Sequence, residues 1–332
     1  MTFGGLSTAV KRVVDRSIPY VHPFFELRAG PDGTRELHHR RRYPNVIAQE
    51  WWLWGPSTEA ERACAERLWR ANAAGQNGRA GGLWFPSSPA GVGAHASAPA
   101  TARTEPPAWT TPPGRPAWPL RVTLVNGSPR GARSNTHALL AGLAAQLADT
   151  CACDSEDGAC CHMREPGSAN LLACDTIVLG FPLYVDALPS GVIGLLERLA
   201  KAAREAPGLL PCLYAVANCG FYEAAQIRPA FAVLENFCAA SDLAWCGGVA
   251  VGGGELVGTF AGMPRDARMR RPVSQAIDTL ARAIEAGTPA GVMEVEQAIP
   301  RILYRPGGEA RWRREARANG LRPRDLGRRV GA

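Results

Sequence analysis

Ser128, Arg130, Ser134, Asn135 and Thr136 bring hydroxyls, an amide and a cation into one short stretch, directly after the apolar run Val122-Thr-Leu-Val-Asn126. An apolar strand that ends in a turn of small residues and then opens a helix aims the helix's unpaired N–H groups back at the turn, where an anion is stabilised. The stretch lacks the Gly-Lys-Ser/Thr ending of a nucleoside-triphosphate loop and the G-x-G-x-x-G of a dinucleotide fold. It suits one terminal phosphate monoester. The competing reading is an ordinary strand-to-helix turn with hydroxyl capping.

Two more loops carry similar chemistry. Phe181-Pro-Leu-Tyr-Val-Asp-Ala-Leu-Pro-Ser190 follows the buried strand pattern of residues 175–180, and Asn218-Cys-Gly-Phe-Tyr-Glu223 ends the strand pattern of residues 212–217. In a doubly wound sheet, loops at the carboxyl ends of neighbouring strands converge on one crevice. Three polar, aromatic and Gly/Pro loops therefore share a single pocket.

In order, Asn-Gly-Ser-Pro-Arg with Ser-Asn-Thr, Phe-Pro-Leu-Tyr and Asn-Cys-Gly-Phe resemble the flavodoxin-like NAD(P)H-dependent FMN reductase family over residues 119–288. The resemblance implies that the first loop holds the FMN phosphate through Ser128, Arg130, Ser134, Asn135 and Thr136. It implies that Pro182, Leu183 and Tyr184 flank the isoalloxazine, together with Asn218, Cys219, Gly220 and Phe221, with Tyr184 and Phe221 as ring walls. It further implies NAD(P)H as co-substrate, a small electron acceptor such as free flavin or a quinone, and a homodimer whose contacts complete the pocket. Flavin N5 accepts a hydride without a general acid or base, so no side chain is nominated as catalytic. Two other classes stay open: an electron carrier that holds FMN without using nicotinamide, and a cofactor-free interaction protein.

The elements that must position these loops alternate: strand 121–126, helix 135–149, strand 175–180, helix 190–205, strand 212–218, helix 228–240, strand 245–251 and helix 272–286. That alternation predicts a flavodoxin-like α/β fold, a parallel sheet with helices on both faces. The edge strand expected between residues 150 and 172 has only Thr150–Cys153 as a weak candidate. Pro229 requires the first turn of its helix. Gly252-Gly-Gly-Glu-Leu256 predicts either close backbone approach to a ligand or a tight turn.

Outside this domain, residues 1–74 read as a small N-terminal α+β module. Its hairpin turns at Gly30-Pro-Asp-Gly33. Its helix is capped by Thr58 with Glu61 and turns Cys64, Leu68 and Trp69 inward. Trp51, Trp52 and Trp54 read as module core or dock, and His38 and His39 as a basic strand end. Residues 75–118 are a Pro/Gly/Ala-rich linker with too little apolar periodicity to order themselves. Residues 289–332 are a basic helical tail. No internal repeat is apparent.

The chain of 332 residues is 46% apolar and carries a net charge of +7. The last 32 residues hold ten Arg against Glu309, Glu315 and Asp325, which accounts for the whole surplus. A neutral remainder argues against nucleic acid as a partner. No run of about eighteen apolar residues marks a membrane span, and no apolar h-region marks a secretory signal, so a cytoplasmic setting is expected. Ten irregularly spaced cysteines read as thiols. Cys151, Cys153, Cys160 and Cys161, with His162, do not follow the two-residue gaps that wrap an iron–sulfur cluster, and no metal site is assigned.

Overall fold

Alternate residues of the central strands supply two separate apolar layers. Ile177, Leu179, Phe181, Leu213, Ala215 and Ala217 belong to one buried cluster, whereas Val178, Tyr214, Val216, Val249 and Val251 belong to another. Strands buried on both faces must be sandwiched between helices. The computed structural model describes residues 2–18, 22–29, 33–76, 78–91, 93, 95–101, 120–148, 151–156, 171–206 and 209–328.

The sheet comprises β5 (Leu120–Asn126), β6 (Cys151–Glu156), β7 (Thr176–Pro182), β8 (Cys212–Asn218), β9 (Ala244–Val251) and β10 (Gly291–Val295). All neighbours are parallel, in the order β10-β9-β8-β7-β5-β6. Numbered within the domain, that is the flavodoxin-like order 2-1-3-4-5 with a sixth strand added beyond the fifth. Helices α3 (Asn135–Leu147) and α7 (Arg271–Ala286) cover one face, with the single-turn α6 (Val257–Phe260) between β9 and α7, and α4 (Ser190–Glu205) and α5 (Arg228–Ser241) cover the other. Pro229 sits in the first turn of α5, where its missing N–H breaks no bond.

Three expectations change. The edge strand does form, as β6, and begins at Cys151; apart from Cys153, Cys160 and Cys161 with His162 lie beyond it, outside the described residues. The tail expected from residue 289 opens with β10, whose exposed Val292 and ion-paired Glu294 give an edge strand no two-sided apolar signature. Only then does it continue into helix α8 (Arg301–Ala318), anchored by buried Tyr304.

The linker reading is corrected as well. Residues 79–84 form β4 (Arg79–Trp84), parallel to β3 (Ala48–Trp52), because pairing and the stacking of Trp84 on Trp52, 5.0 Å between centroids, replace the apolar periodicity the segment lacks. Residues 102–119 lie outside the description. The N-terminal segment further contains α1 (Thr8–Asp15), the antiparallel hairpin β1 (Phe25–Ala29) with β2 (Arg35–His39), and α2 (Glu59–Gly75). The Thr58–Glu61 capping box is present, with both backbone N–H groups satisfied at 3.2 and 2.8 Å. Cys64 and Leu68 of α2 enter the core beneath α5, so this segment shares the apolar interior of the sheet domain.

Candidate functional site

The order in which strands are added across the sheet reverses at β5, whose two neighbours are β6 and β7, and a ligand crevice in an open α/β sheet belongs at that switch point. The first loop leaves β5 through Asn126, whose Oδ1 accepts the Ser128 N–H at 3.1 Å. Gly127 is required sterically. A Cβ there would stand 2.5 Å from Val192 Cγ2 and 2.7 Å from the Gly180 carbonyl. Ser134 caps α3: its Oγ accepts the His137 N–H at 3.0 Å and donates to the Gly131 carbonyl at 2.7 Å. Asn135 Oδ1 accepts the Gly258 N–H at 3.1 Å, which ties the last loop to the first.

Thr136 is fully buried and donates its hydroxyl to Asn218 Oδ1 at 2.7 Å. Asn218 also accepts the Leu183 N–H on its carbonyl at 2.7 Å, directly after Pro182 closes β7. One asparagine thus fastens the three loops together. Arg130 is exposed and close enough to Tyr184 to favour its phenolate, although burial dominates and raises the Tyr184 pKa. The Ser134 and Thr136 hydroxyls are committed to internal bonds. An anion would therefore meet the exposed arginines Arg130 and Arg133 and the first-turn amides of α3.

The second loop turns through Val185 and Asp186, with φ of 44° and 54°, between reciprocal bonds that join Tyr184 to Ala187. Asp186 is buried, which raises its carboxyl to about 6 against the opposing pull of His38 and Lys11; Glu36 raises it further. Lys11, also buried, donates to the Tyr184 carbonyl at 2.8 Å and pairs with Asp15. Desolvation lowers its pKa, while Asp15 opposes the shift.

In the third loop the Cys219 thiol points into the protein, toward the carbonyls of Phe221 at 3.4 Å and Glu223 at 3.5 Å, and burial pushes it up to about 12. Gly220 is open: nothing lies within 4 Å of a Cβ built there, and its carbonyl accepts the Tyr304 hydroxyl at 2.7 Å. The ring of Phe221 packs against the hairpin, 5.7 Å from Phe25, 5.3 Å from His39 and 5.9 Å from His38. The glycines after β9 serve close packing. A Cβ at Gly254 would reach Asn218 and the Cys219 carbonyl at 2.9 Å.

Sequence reasoning missed Lys11, Asp15, Asp186 and Tyr304 and read His38 as a strand end, though all five meet the second and third loops. One signal was available: Lys11 is one of 2 lysines beside 35 arginines. A separate cleft lined by Leu139, Val257, Phe260 and Arg265 shares no residue with the three loops. Among the described residues, no group of three or more His, Cys, Asp or Glu is placed to hold a metal ion, and no helix is long and apolar enough to cross a membrane.

No protein-family model and no curated protein sequence matches the chain. Solved structures with similarity to it include the Trp repressor binding protein from Bacillus subtilis, at 18% identity, covering 48% of this chain and 96% of that one with a TM-score of 0.34. An NADPH-quinone reductase from P. pentosaceus matches at 19% identity over 49% of this chain and 97% of its own, also with a TM-score of 0.34. An NAD(P)H:quinone oxidoreductase from Methanothermobacter marburgensis matches at 12% identity over 64% and 98%, with a TM-score of 0.27. The fold assignment rests on the strand order.

Proposed function

We propose that the first, second and third loops together hold FMN, and that the chain is an NAD(P)H-dependent oxidoreductase reducing a small acceptor such as free flavin or a quinone. The observation that carries this reading is the double engagement of Asn218 by Thr136 and Leu183, which gathers three ligand-type loops at the β5/β7 switch point. The donor set fits a phosphate monoester. Arg130 and Arg133 are exposed beside the N-terminus of α3, and a Cβ at Gly131 would meet nothing within 4 Å, so the backbone there is approachable. Open space at Gly220 suits a flat ring system in the same way.

Bound flavin would supply the redox chemistry, taking a hydride from NAD(P)H and passing electrons onward. The chain's own residues would bind and orient. Arg130, Arg133 and the α3 amides would fix the phosphate, with Ser128, Ser134, Asn135 and Thr136 shaping the cradle. Pro182, Leu183, Tyr184, Asn218, Cys219, Gly220 and Phe221 would frame the ring edge, mostly through backbone. The hairpin against Phe221 would close one side to water.

An absorbance spectrum of the purified chain tests the cofactor, and anaerobic addition of NADPH or NADH tests the activity. Flavin bands that bleach with nicotinamide are expected. Bands that do not bleach would leave an electron carrier. A colourless chain that stays colourless after FMN addition would favour the cofactor-free interaction protein, a reading to which the packing of Phe221 against the chain's own hairpin lends specific support.

A further inference from the structure

We propose that residues 2–86 repeat residues 184–252, and that the two copies dock about a local twofold, so that the chain's own N-terminal segment occupies the face through which a second copy would pair. The element orders agree. A reversal leads into α1, then β3, α2 and β4 in the first segment, and into α4, then β8, α5 and β9 in the second.

The details agree as well. Thr2 and Gly5 exchange backbone bonds of 3.0 and 2.7 Å around Phe3 and Gly4, with φ of 50° and 82°. Tyr184 and Ala187 exchange bonds of 2.9 and 3.1 Å around Val185 and Asp186, with φ of 44° and 54°. Two consecutive left-handed residues, one of them non-glycine in the first case and both in the second, form an uncommon reversal. Each stands at the same distance before its helix, and Leu6, Val10, Asp15 and Arg16 then fall on Leu188, Val192, Glu197 and Arg198 at one constant offset.

Strand pairing repeats in register. Ala48 opposes Arg79 and, after a slip at a Gly-Gly pair, Glu50 opposes Gly82. In the second copy Leu213 opposes Trp245 and, after a slip at Gly247-Gly248, Ala215 opposes Gly248. The same strand irregularity therefore sits at the same glycines.

The docking is reciprocal. Helix α1 packs on α4, its counterpart, and α2 packs on α5, its counterpart. Glu197 accepts the Thr8 N–H at 3.4 Å and the Thr8 hydroxyl at 2.8 Å, while Asp15 accepts the N–H of Ser190, the counterpart of Thr8, at 2.9 Å. Each carboxylate caps the other copy's helix. At the level of elements, each reversal also reaches the second helix of the other copy, though at different turns: the Phe3 carbonyl accepts Asn236 Nδ2 of α5 at 3.1 Å, and the Asp186 carboxylate lies against Gly75 of α2. Contacts in which each residue meets its partner's equivalent are the mark of an isologous interface. The copies differ by the hairpin β1–β2, inserted between α1 and β3, and that insertion is what reaches Phe221 of the other copy.

Hydrogen exchange on the full chain, with sedimentation alongside, tests this without reference to any cofactor. Glu197→Ala is expected to speed exchange in the first turn of α1, and Asp15→Ala in the first turn of α4, each on the order of tenfold for a lost charge-assisted bond. Glu197→Gln, which keeps shape and an acceptor, should do less. In the unaltered chain, protection of α4 and α5 should not depend on concentration, whether the chain sediments as one copy or associates through another face. Exchange insensitive to both variants, or a dimer whose formation is what protects α4 and α5, overturns the proposal.

Discussion

Thr136 and Asn218, 82 positions apart, share a buried 2.7 Å hydrogen bond that joins the start of α3 to the end of β8. Removing the hydroxyl leaves Asn218 Oδ1 without that donor in a buried site. Thr136→Val is therefore expected to lower stability by about 1–3 kcal/mol and to weaken flavin retention, with Thr136→Ser restoring both. Urea unfolding and an FMN titration measure the two effects; a variant as stable as the parent removes this bond from the account.

Arg130 reaches solvent beside the α3 N-terminus and is assigned to phosphate. Arg130→Gln should weaken FMN binding on the order of tenfold while leaving riboflavin binding unchanged. Equal losses for the two flavins would show that the arginine does not read the phosphate.

Asp186 is held at about 6 in the folded chain, against 3.8 for an ordinary carboxyl. Between those values the folded state keeps a proton that the unfolded state has released, so stability falls as pH rises through this window and the deficit is complete above it. Asp186→Asn should stabilise the chain at neutral pH by on the order of 2 kcal/mol and have little effect below about pH 4. Unfolding curves at the two pH values decide it, and a pH-independent difference counts against the assignment.

Val185 is β-branched yet lies at φ 44°, a region such residues rarely enter. Asparagine tolerates it. Val185→Asn is expected to raise the urea midpoint, by a stability gain of about 1 kcal/mol, and a lower midpoint would mean that the packing of Val185 outweighs its strain.

Cys219 lies inside the third loop but is buried, its thiol pushed up to about 12. Thiol reagents should leave it unmodified in the native chain and modify it after unfolding. Rapid native labelling at Cys219, read by peptide mass, would restore a redox role for it.

The β/α alternation from β5 to α7, the three loops that end β5, β7 and β8, and the Thr58–Glu61 cap are legible in the amino-acid order alone, because each is written in residues near one another: apolar period, turn chemistry, a four-residue motif. Hidden from that reading were β10 and β4, whose edge positions and small residues leave no local pattern. Folding in three dimensions is what makes Asn218 fasten all three loops, turns Cys219 inward, and lets α1 and α4 cap each other through Asp15 and Glu197. Those relations join residues far apart in the chain, and the few positions shared by the two copies are too sparse to show as a repeat. Register and docking come from burial on a common core, which no local window of the chain contains.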